Sequence, residues 1–370
     1  MKRWPTIFGI IIVIGLLIPM SQQFFGVIYV RPLHGVTSPD TTKISYSWWN
    51  RDLQKRLETY ATDSLVLHPA CVRLRNQFEY TFFDKLNALD IYEHHGIFYR
   101  YSYSTYNEAN AYVGNEKIQR QVQLLAHYQR LLNQDSIPIY VLITPSKLHF
   151  YKAQLPAYNQ TNSQLTNVIQ YKKALVKAGI RVLDADAWFL EEKQQQSISL
   201  FGTGGAHWTL YGGALAFDSL IKRINRDQLT DFQRVTLAVS KEDKIYSEDM
   251  DIVGLSNLLF PPEDHQLRLI HFPTPKQLKK RLNPVVISDS YFHVIAWTPL
   301  HAQVLDPKTP FYYYFHTRFT QQSSNPKFTN KTVQQDIKNA DCIIIITDIQ
   351  NMEQFGFGFI EQYIQKTLLK

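Results

Sequence analysis

The sequence predicts an α/β fold in which a mostly parallel β-sheet carries helices on both faces. Continuous apolar runs at Pro138 to Thr144, Val285 to Ile287 and Cys342 to Thr347 read as strands buried on both sides. Segments of helical period lie between them, and strands alternating with helices specify parallel pairing with covered faces. Polar turns, Ser146-Lys147 and Ser288-Asp289-Ser290, fall at the carboxyl ends of two of these runs, where such sheets build their sites.

Taken in order, Lys2 and Arg3 precede an apolar run from Ile7 to Met20, then Ser21-Gln22-Gln23, then a second apolar patch from Phe24 to Val30. The first run alone has signal-peptide length. With Pro5, Thr6 and the second patch it approaches the roughly 20 residues of a membrane span. Pro19-Met20-Ser21-Gln22 is a poor cleavage site, so residues 1–30 read as an uncleaved signal anchor, one transmembrane helix. The leading positive charges keep the N-terminus cytoplasmic, and residues from about 31 onward face outward. The expectation is a single-pass membrane protein with an extracytoplasmic, periplasmic C-terminal domain.

Residues 31–60 read as a linker and a first amphipathic element offering Trp48, Trp49 and Leu53, and Asp63 to Leu89 is helical in pattern. His94-His95-Gly96-Ile97-Phe98 reads as a turn into a short strand, on which neighbouring histidines point to opposite sides and share no metal. Asn115 reads as the cap of a helix with Ile118, Val122, Leu125 and Leu132 near one face. After the strand ending at Thr144, Leu165, Val168, Ile169, Leu175 and Val176 form one side of a second helix that Gly179 closes. A short strand at Ile180 to Leu183 and a third helix at Leu210 to Ile224 follow. Residues 229–281 fit the alternation poorly and read as an insertion in a domain spanning 61–370. Further strands are expected at Val285 to Ile287, Phe311 to Phe315 and Cys342 to Thr347, with helices at Thr332 to Ala340 and Phe357 to Leu368.

A formal charge of +7 is spread thinly, and its one concentrated run is Lys276 to Arg281, which argues against nucleic acid as a partner. The cysteines, Cys71 and Cys342, are too far apart for the common zinc spacings, and Cys342 opens an apolar run as a small buried hydrophobe. No cofactor and no metal are expected.

Two short stretches carry chemistry. Gly204-Gly205-Ala206-His207-Trp208-Thr209 places a histidine in a loop before a helix, and Val285-Val286-Ile287-Ser288-Asp289-Ser290-Tyr291 runs a strand into a serine turn. A serine hydroxyl attacks a carbonyl when a neighbouring base takes its proton, and histidine is the usual base. In this order the two stretches resemble the SGNH-hydrolase-like proteins of the alginate O-acetyltransferase accessory type, in which an acid-x-His-Trp-Thr motif precedes Gly-x-Ser-Tyr. Thr144-Pro145-Ser146-Lys147 and Phe355-Gly356-Phe357-Gly358-Phe359-Ile360-Glu361 are similar to other pieces of that family.

The resemblance implies a three-layer, flavodoxin-like sheet, with His207 as general base and Ser290 as nucleophile. It leaves the acid position vacant at Gly205 and puts Ser288 where the family has glycine. Asp184, Asp186, Asp289 or a backbone carbonyl remain as substitutes for the acid, although Asp289, next to the nucleophile, is expected to face away. The implied activity is acyl transfer to an extracytoplasmic polysaccharide, or ester hydrolysis there, beside a membrane-bound O-acyltransferase. Lys147 either meets an anionic sugar or serves structure alone, and Trp208 either stacks on a sugar ring or packs beneath the loop. Three readings stay open: an enzyme with a weakened or rewired pair; an inactive glycan-binding or scaffold subunit, whose activity Gly205→Asp would restore; and a protein in which His207 and Ser290 never meet.

Overall fold

The computed structural model describes residues 4–26, 29–36, 66–86, 91–100, 111–155, 166–240 and 247–369. The amphipathic element expected around Trp48, Trp49 and Leu53 lies outside the described residues. The chain divides into two compact units, Met1–Tyr92 with Ile252–Glu263, and Glu93–Asp251 with Asp264–Lys370.

In the first unit the apolar start forms one helix, α1 (Trp4–Phe25). Among the described residues, no helix is long and apolar enough to cross a membrane. The expected anchor is therefore not established by the structure, and only the helix is. The helix α2 (His68–Phe83) is shorter than the pattern from Asp63 to Leu89, beginning at Pro69 in its first turn and ending at Asp84 in a left-handed conformation (φ 51°). The Arg73 guanidinium ties α2 to the preceding chain, donating to the carbonyls of Arg31 (2.6 Å) and Pro32 (2.7 Å).

The second unit is built on a seven-stranded sheet. Its strands are β1 (Ile139–Thr144), β2 (Arg181–Asp184), β3 (Pro284–Ser288), β4 (Phe311–Tyr313), β5 (Thr317–Thr320), β6 (Ser323–Asn325) and β7 (Cys342–Asp348), in spatial order β6-β5-β4-β3-β7-β1-β2. The pairs β3/β4, β3/β7, β7/β1 and β1/β2 are parallel, whereas β4/β5 and β5/β6 are antiparallel. The mostly parallel α/β sheet is as expected. Counted from β3, the parallel strands β4-β3-β7-β1-β2 take the order 2-1-3-4-5 of a flavodoxin-like sheet. The chain follows that order in circularly permuted form, entering at its fourth strand.

Alternation along β7 sorts the core into two layers. Ile343 and Ile345 join Ile118 and Val122 of α3 (Asn115–Leu132), Tyr171 and Leu175 of α4 (Asn167–Lys177) and Val333 of the helix Asn330–Lys338. Ile344 and Ile346 join Phe189 of α5 (Ala185–Glu192) and Phe217 and Ile221 of α6 (Leu210–Gln228). Residues of period two on the strand and period 3.6 on the helices thus meet in a three-layer sandwich.

Several elements depart from expectation. The strand at Phe311 stops at Tyr313, because Tyr314 (φ 45°) and Phe315 (φ 51°) turn left-handed and lead into the antiparallel edge strands β5 and β6, which are short and polar and give no apolar signal. Gly114, and not Asn115, occupies the cap of α3, at a φ of 87° that suits glycine. His95 sits in a turn at φ 50° with its ring 4.1 Å from that of His94, so the two do not diverge as on a strand. The segment expected to be helical from Phe357 begins at Phe359 as a π-helical turn and closes as Gln365–Leu368. Cys342 is buried on β7 and Cys71 is exposed; both thiols are free.

Ile344 has no exposed surface. Ile344→Ala should therefore destabilise the sheet domain by about 2–5 kcal/mol, measured by urea denaturation with the slope unchanged.

Candidate active site

The carboxyl end of β3 is fixed by Asp289. Its Oδ1 accepts the N–H of Tyr291 (3.0 Å), and its Oδ2 accepts the N–H of Asp348 (2.8 Å) and Asn351 Nδ2 (3.1 Å). Burial pushes the Asp289 carboxyl above its usual range, and these three donors pull it back. The chain is thereby turned at the strand end and Ser290 opens a 3₁₀ turn, Ser290–Phe292. Asp289 faces away from the histidine loop, as its place beside the serine implied. Ser288 stands at the family's glycine position without a positive φ, so the backbone there does not demand glycine.

Thr209 caps α6: its Oγ1 accepts the Gly212 N–H (3.0 Å) and donates to the Ser199 carbonyl (2.8 Å). Trp208 is buried beneath the loop (1% exposed), donates from Nε1 to the Tyr291 carbonyl (3.2 Å) and meets the Tyr291 ring edge-on. The indole therefore presents no face to a sugar, which corrects that expectation. His207, between these anchors, is aimed at the serine: Nε2 and Ser290 Oγ are 2.8 Å apart. The reading in which the two never meet falls on this distance. Burial lowers the His207 pKa below that of an ordinary imidazole; Asp251 and Asp289 oppose the shift, while Arg100 and Lys147 reinforce it.

A carboxylate from elsewhere in the chain approaches the histidine where the acid was expected to be missing. Asp251 Oδ2 lies 3.7 Å from His207 Nδ1, and its Oδ1 accepts the Ala206 N–H (2.7 Å). The separation exceeds a hydrogen bond but is a charge contact on the ring nitrogen facing away from Ser290. Gly205 explains how the chain carrying Asp251 comes so near. A Cβ at Gly205 would stand 2.6 Å from the Asp249 carbonyl oxygen, and one at Gly202 2.7 Å from it. The same Asp249 accepts the Leu210 N–H at the start of α6 with Oδ1 (2.9 Å). Glycine at 205 is thus a seat for the segment that brings the carboxylate.

None of the substitutes considered from sequence takes the place. Asp184 caps α5 and pairs with Lys172, Asp186 pairs with His149 Nδ1 (3.0 Å), and Asp289 is held as described. Asp251 comes from the stretch read as an insertion, where several carboxylates cluster between Glu248 and Asp251 and no spacing singles out one. The same stretch supplies Asp264, whose Oδ2 accepts both the N–H and the hydroxyl of Thr203 (2.9 Å each).

Lys147 also departs from the sugar-binding reading. Only 1% exposed, its Nζ donates to the carbonyls of Gly202 (3.1 Å), Thr203 (2.6 Å) and Gly205 (2.6 Å).

Sheet order, strand-end serine and facing histidine define an SGNH-hydrolase-like α/β domain. Residues 98–258 match the family model described as the SGNH hydrolase-like domain of acetyltransferase AlgX, less than half of the 370 residues. The match bears out the resemblance seen in the sequence; it spans His207 and Asp251 and stops before Ser290. No curated protein matches in sequence. Among solved structures, the O-acetyltransferase domain of Pseudomonas putida AlgJ is 16% identical, covering 75% of this chain and 99% of its own, with a TM-score of 0.47. Bacillus cereus PatB1 is 13% identical (72% and 98%, TM-score 0.43), and Pseudomonas aeruginosa AlgX 9% identical (78% and 70%, TM-score 0.41). At such values the fold rests on its own topology and not on these likenesses.

Because the Asp249 backbone fills the space beside Gly205, Gly205→Asp should not raise any activity of the site. It should lower stability by about 1–3 kcal/mol, read as a drop in denaturation midpoint, and Gly205→Ala should do the same without adding charge.

Proposed function

We propose that this chain is an acyltransferase of the SGNH-like type that moves acetyl groups onto polysaccharide hydroxyls, with Ser290, His207 and Asp251 as its catalytic triad. The 2.8 Å contact between His207 Nε2 and Ser290 Oγ carries the reading. The family-model match to an acetyltransferase domain supports the reaction class and the polysaccharide acceptor.

The contacts support the following sequence of steps. Nε2 faces the hydroxyl as acceptor, so the ring proton sits on Nδ1, toward Asp251; this tautomer is assigned from the contacts. Ser290 Oγ attacks the acetyl carbonyl of the donor and passes its proton to Nε2, and Asp251 stabilises the imidazolium. The tetrahedral intermediate collapses, the donor's leaving oxygen takes the proton from Nε2, and the acetyl group remains on Ser290. A sugar hydroxyl then gives its proton to Nε2 and attacks the acetyl carbon, and the Ser290 Oγ–acetyl bond breaks as Oγ takes the proton back from Nε2, yielding the sugar ester. Water in place of the sugar completes a hydrolysis. A lowered His207 pKa keeps the base neutral and ready at pH 7.

We further propose that the apolar N-terminal segment ties the chain to a membrane with the catalytic unit outside the cytoplasm, beside a membrane-bound O-acyltransferase that supplies acetyl groups. The apolar run from Ile7 to Met20 supports contact with lipid. Lys2 and Arg3 before it favour a cytoplasmic start.

With an activated acetyl ester as donor, Ser290→Ala should reduce turnover to the uncatalysed background, and Asp251→Asn should lower kcat by about 10²–10⁴-fold. Equal turnover in wild type and Ser290→Ala would rule out the enzyme and favour a binding or scaffold role. The acid limb of kcat/KM reports protonation of His207. Activity should fall as pH drops through its pKa, at a midpoint below the usual imidazole value of about 6.5.

A further inference from the structure

Lys147 lies three residues after the end of β1, its backbone opening the short helix Lys147–Phe150 behind the Ser146 cap. Its stem therefore rises from a fixed strand end. An ammonium has three N–H donors and no acceptor, and three carbonyls, those of Gly202, Thr203 and Gly205, receive them. No donor remains for a substrate. These carbonyls belong to the loop that delivers His207. The same loop is held from its other groups by carboxylates, Asp264 at Thr203 and Asp251 at Ala206.

We infer that Lys147 is a positioning residue, a charged clamp that holds the histidine loop in the path presenting His207 to Ser290 and Asp251. The inference rests on the triad proposed above. The neutral amine could not do the same work: it has two N–H donors for three carbonyls, and its lone pair would face an oxygen. The groups that surround the ammonium are Asp251 and Asp264, which favour its charge, His207, and the Tyr151 ring at 5.9 Å. Burial outweighs the two carboxylates and brings the Lys147 pKa down to about 7. The clamp is thus closed in mildly acidic solution and opens as pH rises through that value, while His207 becomes active from the acid side. Loop geometry and base chemistry together leave a narrow working range.

Two measurements on the full chain separate the clamp from the triad. Amide hydrogen exchange reads the loop: in Lys147→Met at about pH 6, the amides of residues 203–206 should exchange at least ~10-fold faster than in wild type, with β1 and β7 unchanged. Wild type taken from about pH 6 to about pH 8 should show the same extra acceleration beyond intrinsic exchange, which tests the clamp even should the variant not fold. Turnover of an activated acetyl ester reads the chemistry: Lys147→Met should lose about 100-fold in kcat with KM unchanged, and its profile should lack the wild-type decline on the alkaline side. Unchanged loop exchange in both the variant and the wild-type pH series would overturn the clamp. A rise in KM alone would overturn it in favour of substrate binding, and loop loosening without a change in kcat would remove its positioning role. Turnover that survives Ser290→Ala would instead sink the triad, while exchange would still report on the clamp.

Discussion

The candidate site depends on how closely one backbone can approach another. Because Gly202 and Gly205 have no side chains, the Asp249 carbonyl oxygen can sit within 2.7 Å of where their Cβ atoms would be. Two residues on, Asp251 is held by the Ala206 N–H and faces His207. Lys147 supports the same loop through its carbonyls, and Asp249 closes the first turn of α6. A methyl group at residue 205 would force this arrangement apart. The position that the family pattern reserves for a carboxylate thus admits the segment carrying Asp251 by having no side chain.

The sheet and the histidine–serine pair were legible from sequence because each rests on local signals. Unbroken apolar runs mark β1, β3 and β7, and His-Trp-Thr packs its three roles (base, buried wedge and helix cap) into consecutive residues. The acid was not legible, because its contact with His207 spans 44 positions and lies in a stretch with neither period nor motif. For Lys147 the sequence leaves a choice between an anionic sugar and a structural role, and the fold decides it by placing three carbonyls around the ammonium. For Trp208 it likewise leaves a choice between a sugar ring and packing beneath the loop, and burial selects the second. The edge strands β5 and β6 escaped notice because they are short and polar and are entered through two left-handed residues, Tyr314 and Phe315.

Strand order accounts for the order of the two motifs. The serine follows β3 and the histidine follows β2 by way of α5, so in the unpermuted flavodoxin-like numbering the serine closes strand 1 and the histidine comes after strand 5. Starting the chain at strand 4 reverses their appearance in sequence while leaving their places at the sheet's carboxyl edge unaltered. Motif order therefore reflects where the chain is opened and not where the two side chains sit in the fold.

The same opening bears on biogenesis. Among the described strands of the sheet β7 comes last in the chain, yet it lies between β3 and β1, and its Asp348 N–H is one of the donors that satisfy the Asp289 carboxylate. A nascent chain that already carries both histidine and serine still lacks the central strand that joins their two halves of the sheet. The turn that holds Ser290 is thereby completed only once residues 342–348 have joined the sheet.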